Sequence, residues 1–213
     1  MGWVEAGAPH TDRVELRDGR VALVAPLDPA DRARYLAGVE RASPESLYMR
    51  FMAPVSRLTE SQLRYLLEVD HRDHEALLAV DEESGDAVGV GRFVRYPDRP
   101  DVAEAAVLVI DEWQGFGLGT TLCRLLAERA REVGVERFEA SLLGANHPML
   151  AVLESLGPVR EVSRDGSTVT VEVELPERGI GQHMTGILRA VASGGYELAT
   201  PAAGSRKAPG GDE

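Results

Sequence analysis

The chain of 213 residues is 44% hydrophobic, enough for one domain with a packed core and a short extension. Its formal net charge of −12, from 35 acidic against 23 basic residues, argues against non-specific nucleic-acid binding, which needs a basic face. A single cysteine, Cys123, excludes an intrachain disulfide; no signal peptide or membrane-length apolar run appears, so a reducing cytoplasm is the expected setting.

Residues 1–11 are small and polar and are expected to be flexible. Val14–Leu16 and Arg20–Ala25 flank Asp18-Gly19, a turn signal that predicts a hairpin. Asp28 as N-cap and Pro29 at the first helical position predict a helix to Arg41. Ser43-Pro44-Glu45-Ser46 begins a shorter helix, and the capping box Thr59-Glu60-Ser61-Gln62 begins a third, to about Val69. Ala76–Asp81 reads as a buried strand, Ser84-Gly85 as a turn, Val88–Tyr96 as the hairpin partner and Pro97–Asp101 as a polar link. Ala103–Ile110 is an apolar, strand-like run that leads into Gln114-Gly115-Phe116-Gly117-Leu118-Gly119. Leu118, Leu122, Leu125, Leu126, Ala130 and Val133 then recur at helical spacing. A strand at Arg137–Leu143, a helix at Pro148–Ser155 and a strand at Val159–Val162 follow, with a turn at Asp165-Gly166. Thr168–Leu175 alternates, with Val169, Val171, Val173 and Leu175 on one face, and Pro176 closes the domain. Ile180, Met184, Ile187, Leu188 and Val191 share one helical face, which predicts an amphipathic helix over 177–195 docked in cis or across a subunit interface. The tail, 196–213, has the composition of a disordered segment. The α/β pattern sums to a mixed, mostly antiparallel sheet with helices on both faces, in a monomer or homodimer.

Strand, glycine turn and helix together make an anion site. Glycines let the backbone approach a phosphate, and a helix start offers unpaired N–H groups and a positive dipole end. A P-loop would need Lys and Ser/Thr after its last glycine, where Thr120 and Thr121 stand, and a dinucleotide fingerprint would need its third glycine at Thr120. The spacing that fits is Q-x-x-G-x-G, at Gln114, Gly117 and Gly119. It resembles the pyrophosphate loop of the GNAT acyltransferases, which hold acetyl-coenzyme A. Asn146, directly after the Arg137–Leu143 strand, matches an asparagine that contacts the pantetheine arm in that family. Ser43-Pro44-Glu45-Ser46, Arg50-Phe51, Val69-Asp70 and Ala103-Glu104 resemble the bacterial protein-lysine acetyltransferases, including those fused to cyclic-nucleotide-binding domains. The resemblance spans roughly residues 12–175, a GNAT domain over 12–176.

The resemblance implies a fold with a splayed strand pair and an acetyl-coenzyme A-dependent N-acetyltransferase whose acceptor is a protein lysine or a small amine. Glu104 is the implied general base, and its apolar strand neighbours predict a partly desolvated carboxylate of raised pKa. Backbone N–H groups of Val109 or Ile110 are the implied donors to the thioester oxygen and pantetheine, with Asn146 and Met149 alongside. Gln114, Gly115, Phe116, Gly117, Leu118, Gly119 and Thr120 are expected to wrap the pyrophosphate. Many relatives place a tyrosine acid seven residues after the asparagine; Leu153 stands there. That leaves room for a non-catalytic acyl-coenzyme A-sensing module.

Tyr48, Arg50 and Phe51 lie where this fold roofs its acceptor groove. His71 and His74, with Asp70 and Asp73 nearby, read as a polar loop rather than a metal site, since no cysteine or third histidine is close in sequence. His147 reads as a packing or capping residue and Cys123 as a buried structural thiol. No metal, nucleic-acid or membrane partner is expected.

Overall fold

The computed structural model describes residues 11–55 and 57–176. The amphipathic helix expected around Ile180–Val191 and the terminal segments 1–10 and 196–213 lie outside the described residues.

β1 (Asp12–Glu15) and β2 (Val21–Pro26) form the predicted hairpin, closed by the Leu16 amide on the Arg20 carbonyl at 2.8 Å, with Gly19 at φ +86°. A 3₁₀ turn, Pro29–Asp31, precedes α1 (Arg32–Arg41). Asp28 caps it by accepting from the Ala30 amide at 2.8 Å while its own amide donates to Asp31 at 3.1 Å. α2 (Pro44–Phe51) and α3 (Glu60–Leu67) are capped by Ser43 and Thr59, as their sequences predict. The order then runs β3 (His74–Asp81), β4 (Ala87–Tyr96), β5 (Arg99–Val109), α4 (Leu118–Glu132), β6 (Arg137–Leu143), α5 (His147–Glu154), β7 (Val159–Asp165) and β8 (Thr168–Glu174).

Two expectations about boundaries are corrected. Pro97–Asp101 is not a free link: β5 begins at Arg99, which pairs with Tyr96 across a tight turn, and Pro100 sits beside the register irregularity at Arg95/Tyr96. Proline is tolerated there because the ladder is already interrupted. β3 begins at His74 rather than Ala76, because Glu75 is buried and held by Arg129 and His71.

The strands form one sheet in the order β1-β2-β3-β4-β5-β6-β8-β7. Every neighbouring pair is antiparallel except β5 and β6. That parallel pair holds register only at Val102–Glu104 against Arg137–Glu139, although β5 runs on to Val109 and β6 to Leu143. The two strands therefore part just after Glu104, the splay that the sequence resemblance implied.

α4 covers one face of the sheet through Leu118, Leu122, Leu126 and Ala130, all fully buried. Gly91 on β4 lets it approach closely; a Cβ there would stand 2.6 Å from Leu126 Cδ1. On the same face Phe93 and Phe138 meet at 5.9 Å over β5, whose facing residues are Ala105 and Ala103. Small residues on the middle strand let the two rings touch, which ties β4 to β6 across the point of divergence. α1 and α2 pack on the opposite face, and Gly38 of α1 lies so close to the sheet that a Cβ would meet Ala87 at 2.8 Å.

Candidate active site

The splay leaves one edge of β5 without a partner, and the register shows which amides line it. Ile110 donates its N–H to the Val88 carbonyl at 3.0 Å, on the β4 side. Main-chain groups alternate sides along an antiparallel strand, so Leu108, Ala106 and Glu104 also address β4. Ala105, Val107 and Val109 address the gap. Of the two amides expected to serve a ligand, that of Ile110 is therefore already engaged, and Val109 remains. Val107 is a gap-facing amide that sequence alone did not single out, because the parity of a strand follows from its pairing register.

The gap ends at the glycine loop. A 3₁₀ turn, Asp111–Trp113, leads to Gln114, and Gly115 and Gly117 adopt φ +81° and +100°. Only glycine enters that region freely, which is the physical reason for this spacing. The first helical hydrogen bond of α4 runs from the Thr121 amide to the Gly117 carbonyl at 3.0 Å. Among the described residues, none of the amides from Gly115 through Thr120 donates a hydrogen bond. Those of Gly117 through Thr120 are the four that any helix start leaves without an internal partner; Gly115 and Phe116 lengthen the run, which opens at the positive end of a helix of 15 residues. Phe116, Gly117, Gly119 and Thr120 are half-buried, and Leu118 is buried with its side chain in the core. A Cβ on Gly119 would lie 3.5 Å from Val152 of α5 and 3.8 Å from Val109, so valine side chains pack against the loop at Gly119.

Gln114 does something other than expected. Its amide nitrogen donates to the Ser46 hydroxyl and to the Val109 carbonyl, each at 2.9 Å, and its backbone N–H donates to Asp111 at 3.2 Å. No N–H of Gln114 is left for a phosphate. The side chain instead braces α2 against the end of β5, and the loop's donors begin at Gly115. Asp111 supplies the other half of the brace, accepting from the Ser43 amide at 2.8 Å, the Ser43 hydroxyl at 2.7 Å and the Ser46 hydroxyl at 3.1 Å. Desolvation acts to raise the Asp111 pKa, but the hydrogen bonds from Ser43 and Ser46 outweigh it, and the net direction is down. A carboxyl lowered in the folded state adds stability that is complete above its unfolded pKa, about 3.9, and lost as pH falls through the folded value. Asp111→Asn should therefore flatten the fall in stability below about pH 4, read from urea midpoints between neutral and acid pH. An unchanged acid slope would contradict this role for the brace.

Glu104 stands at the last paired rung before the strands part, and its side chain is exposed. The expected desolvation by strand neighbours is absent, because Ala103 and Ala105 point to the opposite face. No hydrogen bond or ion pair occupies the Glu104 carboxylate among the described residues. Its neighbour across the rung, Glu139, is the contrast: it is buried, accepting from the Tyr96 hydroxyl at 2.8 Å and pairing with Arg99 at 3.0 Å. Desolvation, then this bond to Glu139, then the Glu104 charge push the Tyr96 phenol pKa up. Arg50 of α2 is half-buried within electrostatic reach of Glu104; desolvation, then Arg92, bring its pKa down to about 10. Tyr48 is exposed, while Phe51 is half-buried against the core with Arg50 stacked 5.0 Å from its ring.

Asn146 spends its side-chain oxygen capping α5, accepting from the Met149 amide at 3.1 Å. Only its NH₂ is open to a ligand, and the half-buried Met149 packs on the core. Leu153 is buried and Cys123 is fully buried, its thiol pKa pushed up to about 12 by burial. His71 pairs with Glu75 at 2.7 Å, and Arg92 contacts the His74 ring at 3.0 Å. Desolvation, then the Arg92 charge, lower the His74 pKa to about 4. Among the described residues no group of three or more His, Cys, Asp or Glu comes together to hold a metal, and no helix is long and apolar enough to cross a membrane. A cleft of about 1000 Å³ along α1, lined by Ala33, Ala37, Gly38 and the Ser84–Ala87 turn, contains neither Glu104, Asn146 nor any residue of the glycine loop.

Comparison with known proteins agrees with this geometry. Residues 43–157 match the model of the acetyltransferase (GNAT) family. The chain is 37% identical over 163 residues to acetyltransferase Pat of Mycolicibacterium smegmatis, an alignment covering 76% of this chain and 48% of that protein. The chain thus spans about half the length of that relative. The crystal structure of the GNAT domain of S. lividans PAT superposes with a TM-score of 0.72 at 32% identity, covering 80% of this chain and all of that one. A cAMP-binding acyltransferase from Mycobacterium smegmatis superposes with a TM-score of 0.57 at 29% identity, covering 85% of this chain and 54% of that one.

Proposed function

The chain belongs to the GNAT acetyltransferase family, and from that premise we propose that it transfers the acetyl group of acetyl-coenzyme A to a lysine side chain of a protein. The observation that carries the reading is the pairing of two unlike features at one splay. Free amides from Gly115 through Thr120 suit a diphosphate, and the open Glu104 carboxylate suits an ammonium acceptor.

Acetyl-coenzyme A would lie with its diphosphate on the loop and its pantetheine in the β5–β6 gap, reaching Val109 and the Asn146 NH₂. The thioester oxygen would accept from Val107 rather than Val109. At roughly 3.3 Å per residue, Val109 is about 17 Å along the strand from Glu104, whereas Val107 is about 10 Å away, within reach of the base across the acceptor nitrogen. A lysine of pKa about 10.4 arrives as ammonium. Glu104 takes a proton from it, directly or through one water, and the amine attacks the carbonyl carbon. The oxyanion meets the Val107 N–H, the C–S bond breaks, and a thiolate of pKa about 8.5 departs; the surplus proton left on the acceptor nitrogen passes through water to that thiolate, giving a neutral amide and a free thiol. No tyrosine acid is required, which accommodates Leu153.

An exposed Glu104 carboxylate, with Arg50 within electrostatic reach, fits a protein-borne lysine better than an enclosed small-molecule pocket. Release of free thiol from acetyl-coenzyme A should be stimulated by lysine-bearing protein acceptors such as intact acyl-coenzyme A synthetases, and little by free amino acids or polyamines. Stimulation by small amines alone would overturn the acceptor assignment. Binding without release under any acceptor would favour an acyl-coenzyme A sensor.

A further inference from the structure

The β1–β2 hairpin carries three arginines, and two are fully engaged. Arg13 forms a double hydrogen bond to Glu82 at 2.7 and 2.9 Å. Arg20 bonds Asp18 at 2.6 Å and the Glu112 carbonyl at 2.9 Å, and its guanidinium lies 4.2 Å from the Trp113 ring centroid and 4.9 Å from that of Phe116. The third, Arg17, is exposed, and no described residue pairs with its guanidinium. Its Nε lies 3.9 Å from the point where a Cβ would stand on Gly117. Its main chain is fixed there, the Arg17 amide donating to the Phe116 carbonyl at 3.2 Å.

The hairpin is thus clamped onto the glycine loop by Arg20 and by one backbone bond, and it presents an unpaired cation at the mouth of a run of unpaired amides. We propose that Arg17 is a binding residue for the phosphate groups of coenzyme A, supplied from the first hairpin rather than from the loop. This rests on the coenzyme A site proposed above. In a chain of net charge −12, such a local cation offsets the long-range repulsion that a polyanionic cofactor meets on approach. Arg20, held between two rings and two oxygens, has no such freedom and serves as the clamp.

The test is Arg17→Gln, which keeps the backbone bond to Phe116 and removes only the guanidinium. Wild-type and variant protein are titrated with coenzyme A, dephospho-coenzyme A, 4′-phosphopantetheine and pantetheine. The variant should bind coenzyme A roughly tenfold more weakly, the scale of one charge-assisted hydrogen bond. Pantetheine affinity, kcat and ligand-free melting temperature should stay unchanged, and Arg17→Lys should restore part of the loss. The variant should also show a shallower loss of coenzyme A affinity with added salt. A loss that persists with dephospho-coenzyme A assigns Arg17 to the diphosphate; a loss confined to coenzyme A assigns it to the 3′-phosphate. Equal coenzyme A affinity in wild type and Arg17→Gln, or an equal loss for pantetheine, would overturn the proposal. Failure of the wild type itself to bind coenzyme A would instead overturn the site on which it rests.

Discussion

Glu104→Gln should lower turnover by roughly 10²–10⁴-fold, the usual contribution of a general base, with KM for acetyl-coenzyme A nearly unchanged. The substitution is isosteric and removes only the ability to take a proton. The side chain is exposed and has no hydrogen-bond or ion-pair partner among the described residues, so their packing does not depend on it. The proposed cofactor contacts lie beyond Ala105 on the same strand and on the loop, so the acyl donor should still bind. Glu139 cannot substitute, since both of its oxygens are already held by Tyr96 and Arg99. Thiol release and product acetylation, followed across pH 6–9 with a saturating acceptor, check this. The deficit should shrink at high pH, where more lysine is already deprotonated. Near-wild-type turnover throughout that range would remove Glu104 from the mechanism.

Gly117→Val should abolish stabilisation by coenzyme A while leaving the protein folded. Gly117 sits at φ +100°, and among the described residues other than its chain neighbours only the Arg17 Nε comes within 4 Å of the point a Cβ would occupy, so crowding is not the obstacle. The obstacle is the backbone: a β-branched residue avoids that region and would rotate the peptide, turning the neighbouring amides away from a common centre. The intrinsic cost of about 1–2 kcal/mol is small against the ~5–15 kcal/mol stability of a typical domain. Ligand at a hundred times its Kd stabilises the native state by about 2.7 kcal/mol. For a chain of this size that raises the melting temperature by roughly 5–10 °C. The wild type should show this rise and the variant should show almost none. Equal rises would mean that the ligand is held elsewhere.

The order of elements was legible because each carries its own local chemistry. Asp28, Ser43 and Thr59 cap helices where their spacing says they should, Asp18-Gly19 and Asp165-Gly166 close hairpins, and Gly115 and Gly117 take the positive φ that their loop requires. What was not legible depends on who pairs with whom. The engagement of the Ile110 amide and the freedom of Val107 follow from β4–β5 register, which no single strand's sequence contains. Gln114 matches a loop motif, yet its partners Ser46 and Val109 show it to be a brace, a role set by α2 packing above it. Glu104 has apolar neighbours in sequence, but alternation sends them to the far face, so proximity along the chain was a poor guide to desolvation. Arg17 lies a hundred positions before the loop it faces, beyond the range of any motif.

Acetyl transfer at this splay requires that the unpaired loop amides hold the diphosphate. Titrating ¹⁵N-labelled protein with coenzyme A and following each backbone amide tests it directly. The amides from Gly115 through Thr120 should shift together and saturate with one affinity, joined by Val107 and Val109 in the strand gap, while Ile110, already bonded to Val88, shifts little. A saturable response centred on other segments, with those loop amides unmoved, would contradict the account.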